Sequence, residues 1–282
     1  RILVRLIRAE NISAAVARAV LSANTRLPGD IINALQVALK KESSARARRF
    51  LEIILENADL ACNQGWALCQ DTGMVVADVQ VGQEVYIEGD LNQAINQGVK
   101  IGYKEGYFRK SVVKDPFNRI NSGDNTPAII HTTLVPGEQV KITILPKGAG
   151  SENMGQLAML KPASGVPGVK DFIIQVVREA GPNPCPPIIV GVGVGGNMES
   201  AALLAKKALL RPVNQRHQRP DLAALETELL EQVNRLGIGP QGMGGDTTAL
   251  AVNIEVYPTH IASLPVAVNL GCHSTRRVSI TI

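Results

Sequence analysis

The sequence has few aromatic residues, few cysteines and no long apolar run. Phe, Trp and Tyr make up 3% of its 282 residues, which leaves few stacking surfaces for the bases of single-stranded nucleic acid. No apolar stretch is long enough to span a membrane. Four cysteines in so long a chain, with no secretory cleavage motif, favour a reducing compartment over a disulfide framework. We therefore expect a cytoplasmic protein that binds neither nucleic acid nor membranes.

The apolar content is that of a globular protein with a sizeable core. Hydrophobic residues make up 45% of the sequence and charged residues 19%, with a net charge of +4. Helical periodicity occupies the first third, including the first residues, and strand-like alternation begins after Gly73. Segments 128–135 and 139–145 flank Pro136-Gly137, which predicts a β-hairpin. The sequence predicts an α+β fold, with N-terminal helices followed by a mixed β-sheet with packed helices, in one domain over residues 1–282.

Three of the cysteines, Cys69, Cys185 and Cys272, lie in turns rich in Gly, Pro and polar residues. A structural cysteine more often lies on the apolar face of a helix or strand, whereas a turn exposes the sulfur as a ligand or nucleophile. Two of the three could form a disulfide, or all three could be unrelated thiols. A zinc site that adds His273 or His260 is a further alternative, although the closely spaced cysteine pairs of most structural zinc sites are absent. Spacing alone does not decide between these alternatives.

Several glycine-rich and polar turns accompany the cysteines. Residues 191–196 match G-x-G-x-x-G after a predicted strand, but residues 211–220 form a basic loop where a dinucleotide fold would place a second strand ending in Asp or Glu. An NAD-binding oxidoreductase is therefore a remote alternative, and a turn that presents N–H groups to an anion or a cluster is favoured. Turns 122–127, 147–153 and 239–248 combine Gly with polar side chains and indicate the rim of a site.

Taken in order, these segments resemble the α subunit, or N-terminal half, of the iron–sulfur hydro-lyases that comprise class I fumarase and L-tartrate dehydratase. The resemblance spans most of the chain. It rests on Cys69-Gln70-Asp71-Thr72-Gly73, Gly123-Asp124-Asn125-Thr126-Pro127, Lys147-Gly148-Ala149-Gly150-Ser151, Asn183-Pro184-Cys185-Pro186-Pro187, Gly193-Val194-Gly195-Gly196, Gly242-Met243-Gly244-Gly245 and the stretch from His260 to His273.

The resemblance implies a cofactor and a role for individual matching residues. It implies that a 4Fe-4S cluster is held on loops, with one iron left for substrate. The implied cluster ligands are Cys69, Cys185 and Cys272; the implied substrate-binding residues are Gln70, Asp71, Arg109 and Gly150; and the implied catalytic residues are His260 and Asp71. Cys62 matches no ligand and is expected to be a packing residue.

The resemblance also implies a reaction and a partner. The expected reaction is the reversible hydration of fumarate to (S)-malate, and the alternative is the conversion of tartrate to oxaloacetate; a non-catalytic zinc-binding module is a remote third. The family's second half supplies further acid–base groups, so we expect a small dicarboxylate substrate, a separate β subunit without which the chain is inactive, and an (αβ)2 assembly. The basic segment 206–219 could contact that subunit or form an exposed loop.

Overall fold

The structure is a computed structural model that describes residues 4–282. It confirms the α+β class. The chain divides into two compact units: unit 1 takes the residues up to Pro28, Asn57–Ala149 and Arg276–Ile282, and unit 2 takes Gly29–Glu56 and Gly150–Thr275. The expectation that residues 1–282 act as one hydro-lyase domain stays a prediction. None of the helices in the described range combines the length and the apolar character needed to cross a membrane.

Residues 4–282 form eight α-helices and ten strands. In chain order they are β1 (Arg5–Arg8), α1 (Ala9–Thr25), α2 (Gly29–Lys41), α3 (Ala45–Gln64), β2 (Met74–Gly82), β3 (Val85–Glu88), α4 (Leu91–Glu105), β4 (Ile129–Val135), β5 (Val140–Lys147), α5 (Ala149–Glu152), β6 (Gln156–Leu160), α6 (Gly165–Ala180), β7 (Ile188–Gly195), α7 (Met198–Ala208), α8 (Pro220–Asn234), β8 (Ala249–Tyr257), β9 (Leu264–Gly271) and β10 (Val278–Thr281).

Unit 1 is built on a four-stranded sheet with the order β10-β5-β2-β4. Helices α1 and α4 pack together, and Ser13 Oγ donates a 2.8 Å hydrogen bond to the carbonyl oxygen of Ala94. A Cβ added at Gly98 would lie 2.6 Å from the carbonyl oxygen of Ser13, so glycine is required where the two helices touch. The core between helices and sheet includes Val16, Val20, Val75, Val79, Ile95, Val99, Ile142 and Ile144.

Two predictions for unit 1 are wrong. Strands β4 and β5 exist but form no hairpin, because β2 lies between them, parallel to β4 and antiparallel to β5. Strand β4, whose residues are mostly exposed, takes the edge, whereas β2, which is buried on both faces at Val75 and Val76, lies inside the sheet between β4 and β5. The helical pattern predicted for the first residues is not borne out where the structure describes them, and its residues 1–3 lie outside the described range. Residues Arg5–Arg8 form β1, which pairs in parallel with Val85–Glu88, so backbone pairing overrides the local helical pattern.

Unit 2 is built on a second sheet with the order β6-β9-β7-β8, in which β6 was not predicted. Alternate residues of β7 point to opposite faces. Val190 and Val192 pack in the core with residues of α6 and α8. Gly191 and Gly193 lie under α7, where a Cβ at Gly193 would come within 2.1 Å of the carbonyl oxygen of Ala201. The first two glycines of the G-x-G-x-x-G pattern therefore serve the contact between α7 and β7 rather than a phosphate.

Candidate functional site

In unit 1 the Cys69 turn (residues 69–73) connects α3 to β2. Leu68, which precedes the turn, is held by hydrogen bonds at both its N–H and its carbonyl oxygen. The N–H of Leu68 donates to the carbonyl oxygen of Asn24 at 2.8 Å. Asn57 Nδ2 in turn donates to the carbonyl oxygen of Leu68 at 2.9 Å. Cys69 is half-buried and Gln70 is exposed. Gln70 has no hydrogen bond to the residues that the structure describes. The turn thus presents a thiol and an uncommitted amide from a well-anchored backbone.

Both carboxylate oxygens of Asp71 accept backbone hydrogen bonds. Oδ1 accepts from the N–H of Gly73 at 2.9 Å, and Oδ2 accepts from the N–H of Ala149 at 2.7 Å. The carbonyl oxygen of Asp71 accepts from Arg276 Nη2 at 2.6 Å. Asp71 therefore ties the turn that ends β5 to the Cys69 turn, with hydrogen bonds that its charge strengthens. Its predicted part in substrate binding and catalysis stays a prediction.

Thr72 and Asn125 bring two further motifs to the Cys69 turn. Thr72 Oγ1 donates to the carbonyl oxygen of Arg109. Asn125 is fully buried with a left-handed φ of +64°, and its side chain donates to Gly73 O at 3.0 Å and accepts from the N–H of Ser111 at 2.6 Å. The Arg109 segment and the 122–127 turn therefore meet the Cys69 turn within unit 1.

Arg109 has an exposed guanidinium. This group makes no ion pair or hydrogen bond with the described part of the chain. Arginine presents a planar fork of donors that matches the two oxygens of a carboxylate. An uncommitted arginine whose backbone is bonded to the Cys69 turn is suited to bind one end of a dicarboxylate.

Sequence reasoning missed Tyr103, which lies behind the Cys69 turn. Its hydroxyl donates to the carbonyl oxygen of Thr72, and its ring packs edge-to-face on Phe108 with the centroids 5.7 Å apart. Burial raises the pKa of Tyr103 to about 12, which the nearby Asn24 and Arg276 only partly counteract. The one available signal was its position on the buried face of α4.

In unit 2 the Cys185 turn (residues 183–187) and the Cys272 turn (residues 271–275) are joined. The N–H of His273 donates to the carbonyl oxygen of Cys185 at 3.2 Å. Cys185 is exposed and has a left-handed φ of +55°, a conformation that costs a non-glycine residue about 1–2 kcal/mol. Cys272 is half-buried, with its sulfur 3.3 Å from Ser274 Oγ. The structure thus brings together the turns of two predicted ligands.

Gln241, also missed by sequence reasoning, fastens this pair of turns. Its backbone N–H and its Nε2 each donate to the carbonyl oxygen of Pro186 at 2.8 Å, and Nε2 lies 3.0 Å from His273 Nδ1. The glycine-rich turn around it was noticeable in the sequence, but nothing singled out the glutamine. Gly150, at the start of α5, lies beside the Cys185 turn, since a Cβ there would be 3.6 Å from the carbonyl oxygen of Asn183.

His260 lies elsewhere in unit 2. It is exposed in the β8–β9 connection, where Nδ1 accepts from the N–H of Ala262 at 3.1 Å. Eight residues of β9, about 25 Å of extended chain, separate it from the Cys272 turn. The N–H of Gly196 donates to Pro258 O on the same side. The structure therefore brings neither His260 nor the glycine-rich turn to the two cysteines of unit 2.

None of the four cysteines is in a disulfide; Cys69 lies in unit 1, and Cys185 and Cys272 lie in unit 2. Within residues 4–282 no three His, Cys, Asp or Glu side chains are grouped to hold a metal ion. The meeting of all three cysteines stays a prediction. Their chemistry fits a cluster, since each is a cysteine outside any disulfide on an anchored turn. Cys62, expected to be a packing residue, is instead exposed on α3.

Comparisons with known proteins cover nearly the whole chain. The family model described as fumarate hydratase (Fumerase) matches residues 13–281. The putative L(+)-tartrate dehydratase subunit alpha of Methanocaldococcus jannaschii is 44% identical over 258 residues, which cover 89% of this chain and 90% of that protein. The L(+)-tartrate dehydratase subunit alpha of Escherichia coli strain UTI89 is 33% identical over 263 residues, which cover 92% of this chain and 86% of that protein. The family match includes every site residue inferred above, from Cys69 to Cys272.

Proposed function

This chain belongs to the fumarate hydratase (Fumerase) family, and we propose that it is the α subunit of a two-subunit hydro-lyase that acts on a four-carbon dicarboxylic acid. The family resemblance inferred from the sequence is confirmed. The observation that carries the proposal is the near full-length similarity to two proteins that are both named L(+)-tartrate dehydratase subunit alpha.

We rank L(+)-tartrate, the alternative of the sequence analysis, above fumarate as the substrate. The names of the relatives support tartrate, whereas the description of the family supports fumarate. The chemistry is shared. A hydroxyl leaves one carbon and a proton leaves the next, between two carboxylates, and the double bond formed from tartrate is an enol that becomes oxaloacetate. Fumarate hydration is the same step in the direction of addition, so the two reactions differ by one substrate hydroxyl.

Cys69, Cys185 and Cys272 would hold a 4Fe-4S cluster. When bound, the cluster supplies a Lewis-acidic iron for the substrate's hydroxyl and carboxylate. The support from this chain is the placement of the three cysteines: each is outside any disulfide and lies in a turn whose backbone is fixed by hydrogen bonds from other segments. The zinc-binding alternative would use the same three ligands. A visible absorption spectrum distinguishes the two, because zinc gives no visible absorption and an iron–sulfur cluster does.

Substrate binding is assigned first to Arg109 and Gln70, whose side chains have no hydrogen bond to the described residues, and then to Gly150 and Asp71. Arg109 would pair with one carboxylate in two parallel hydrogen bonds. Gln70 would bind a hydroxyl, and the second hydroxyl of tartrate gives its amide a partner that fumarate lacks. Gly150 would offer main-chain N–H groups, and Asp71 would keep one lone pair on each oxygen for substrate. His260 would move a proton, which requires it to act away from the Cys272 turn of its own unit.

We further propose a separate β subunit, in an (αβ)2 assembly, as the source of the remaining acid–base groups. The test uses the chain and its β subunit, purified together without oxygen and reconstituted with iron and sulfide. We expect visible absorption from the chain alone but turnover only from the pair, with kcat/KM for L(+)-tartrate about tenfold or more above that for fumarate. A preference for fumarate would reverse the ranking. Activity with neither acid would overturn the hydro-lyase proposal, and turnover by the chain alone would overturn the need for a partner.

A further inference from the structure

Unit 1 exposes two aromatic side chains almost completely, in a chain that has only four Phe, four Tyr and one Trp. Phe117 is 94% exposed and Tyr107 is 93% exposed. Phe117 lies at the tip of residues 113–121, the Phe117 loop. Large aromatic side chains dominate the energetics of protein interfaces, so a pair held in water indicates a contact surface.

The Phe117 loop is held in one shape by its own hydrogen bonds. Asp115 Oδ1 accepts from the N–H of Phe117 at 2.9 Å and from the N–H of Asn118 at 2.6 Å. An antiparallel bridge joins Val113 to Asn121 at the base of the loop. The aromatic ring at the tip is therefore presented without the entropy loss that a mobile loop would suffer on binding.

Tyr107 is held outward by its neighbour. Phe108 is buried against Tyr103, and its N–H donates to the carbonyl oxygen of Tyr103 at 3.1 Å. Tyr107 takes a left-handed φ of +53°, which directs its side chain away from this core. The fold thus accepts backbone strain at Tyr107 together with full exposure of its ring.

The charge of this segment argues for an acidic partner. Residues 110–121 carry Lys110, Lys114 and Arg119 against Asp115 alone, a net charge of +2 without the substrate-binding Arg109. Oδ1 of Asp115 accepts from two N–H groups of the loop. A symmetric contact between two copies of this chain would set the same cations against each other. An acidic surface on a different chain matches them instead.

Three cations of the other basic segment form ion pairs within unit 2. In segment 206–219, Lys206 pairs with Glu152, Arg211 pairs with Glu226 and Glu255, and Arg219 pairs with Asp221. Glu226 is fully buried, so its pair with Arg211 anchors the segment in the fold. This weakens the case for segment 206–219 as a partner contact and leaves the Phe117 loop as the better candidate.

We propose that the β subunit docks on the Phe117 loop and Tyr107, with Phe117 seated in an apolar pocket on an acidic face of that subunit. This rests on the proposed two-subunit hydro-lyase. Tyr107 is two residues from Arg109, whose carbonyl oxygen is bonded to the Cys69 turn. A subunit that completes the substrate site beside Arg109 would cover these two rings.

The experiment measures the Kd between the full chain and its β subunit for the wild type, Phe117→Ser and a matched control, Tyr86→Ser. Tyr86 is a 60% exposed tyrosine of unit 1 on β3. We expect Phe117→Ser to raise the Kd about 30-fold or more, and the control to stay within about twofold. Circular dichroism checks that both variants fold. Hydrogen exchange of the amides of residues 113–121 should be slower in the wild-type pair than in the chain alone.

Each other outcome has a separate meaning. Equal Kd values for Phe117→Ser and the wild type, in a pair that is active on L(+)-tartrate or fumarate, would overturn the docking surface alone. A wild-type chain that neither binds nor turns over with the β subunit would overturn both the surface and the proposed function. The Phe117→Ser chain could instead lose self-association, or lose binding to anionic phospholipid vesicles, while it binds the β subunit as the wild type does. Either result would show that the Phe117 loop contacts another copy of this chain or a membrane, and would overturn the proposal.

Discussion

The backbone N–H of His273 donates a hydrogen bond to the carbonyl oxygen of Cys185, which lies 88 residues earlier in the chain. This bond places the residue next to Cys272 directly on the Cys185 turn. His273 Nδ1 is also 3.0 Å from that carbonyl oxygen and 3.0 Å from Gln241 Nε2. The imidazole is thus held in a polar frame formed by the Cys185 turn and Gln241, with Nδ1 bonding either the carbonyl oxygen or the amide nitrogen at one time.

Gln241→Ala should loosen this frame. The change removes the side-chain hydrogen bond to Pro186 O and the contact with His273, so we expect the free energy of unfolding to fall by about 1–3 kcal/mol. Iron should also leave the reconstituted protein faster. Urea unfolding and iron release to a chelator measure the two effects. Gln175→Ala is the control, because Gln175 is an exposed glutamine of unit 2 whose side chain, among the described residues, bonds Glu179 and no distant turn. Wild-type values in both measurements would show that the turns hold without Gln241.

Asp71→Asn should destabilise the chain in the absence of any substrate. The amide keeps one acceptor oxygen but points an NH2 group at the N–H of Gly73 or of Ala149. We expect a loss of about 1–3 kcal/mol in the free energy of unfolding, measured in urea. Asp59→Asn, at an exposed aspartate of α3, should change it by less than about 0.5 kcal/mol. Unchanged stability with lost turnover would assign Asp71 to substrate alone.

The sequence made the helices, most strands and the motif turns predictable, because hydrophobic period and turn residues are local. It could not reveal that β2 separates β4 from β5, since that depends on the pairing of β2 with two strands that lie more than 45 residues later in the chain. Hydrogen bonds between residues far apart in the chain were also not predictable. Nothing near Gln241 or Tyr103 indicates that they bond Pro186 and Thr72. The sequence also could not show that His260 lies far from Cys272 in unit 2. That separation exists because β9 runs as an extended strand between them, and strand pairing depends on the whole sheet.

Tyr103 gives the stability of the chain a pH dependence in alkali. Burial raises its pKa to about 12 from 10.0, so between these values the unfolded state loses the phenolic proton while the folded state keeps it. The unfolded state then binds fewer protons, and stability falls as pH rises from about 10 to 12, by at most about 3 kcal/mol. Tyr103→Phe should be less stable at pH 8, having lost the bond to Thr72, and should lack this tyrosine's share of the decline. Parallel curves for both proteins from pH 8 to 12 would contradict the assignment.

Arg109 and Lys110 are adjacent cations that should differ sharply in their effect on turnover. Arg109 is exposed and has no partner among the described residues, yet its backbone is fixed to the Cys69 turn by Thr72. Arg109→Lys keeps the charge but loses the paired donors, which should lower kcat/KM by about thirty- to several-thousand-fold. Lys110→Ala should change it by less than about threefold. Both are assayed in the reconstituted two-subunit enzyme at equal iron content. Equal losses at the two positions, or none at Arg109, would show that another group binds the carboxylate.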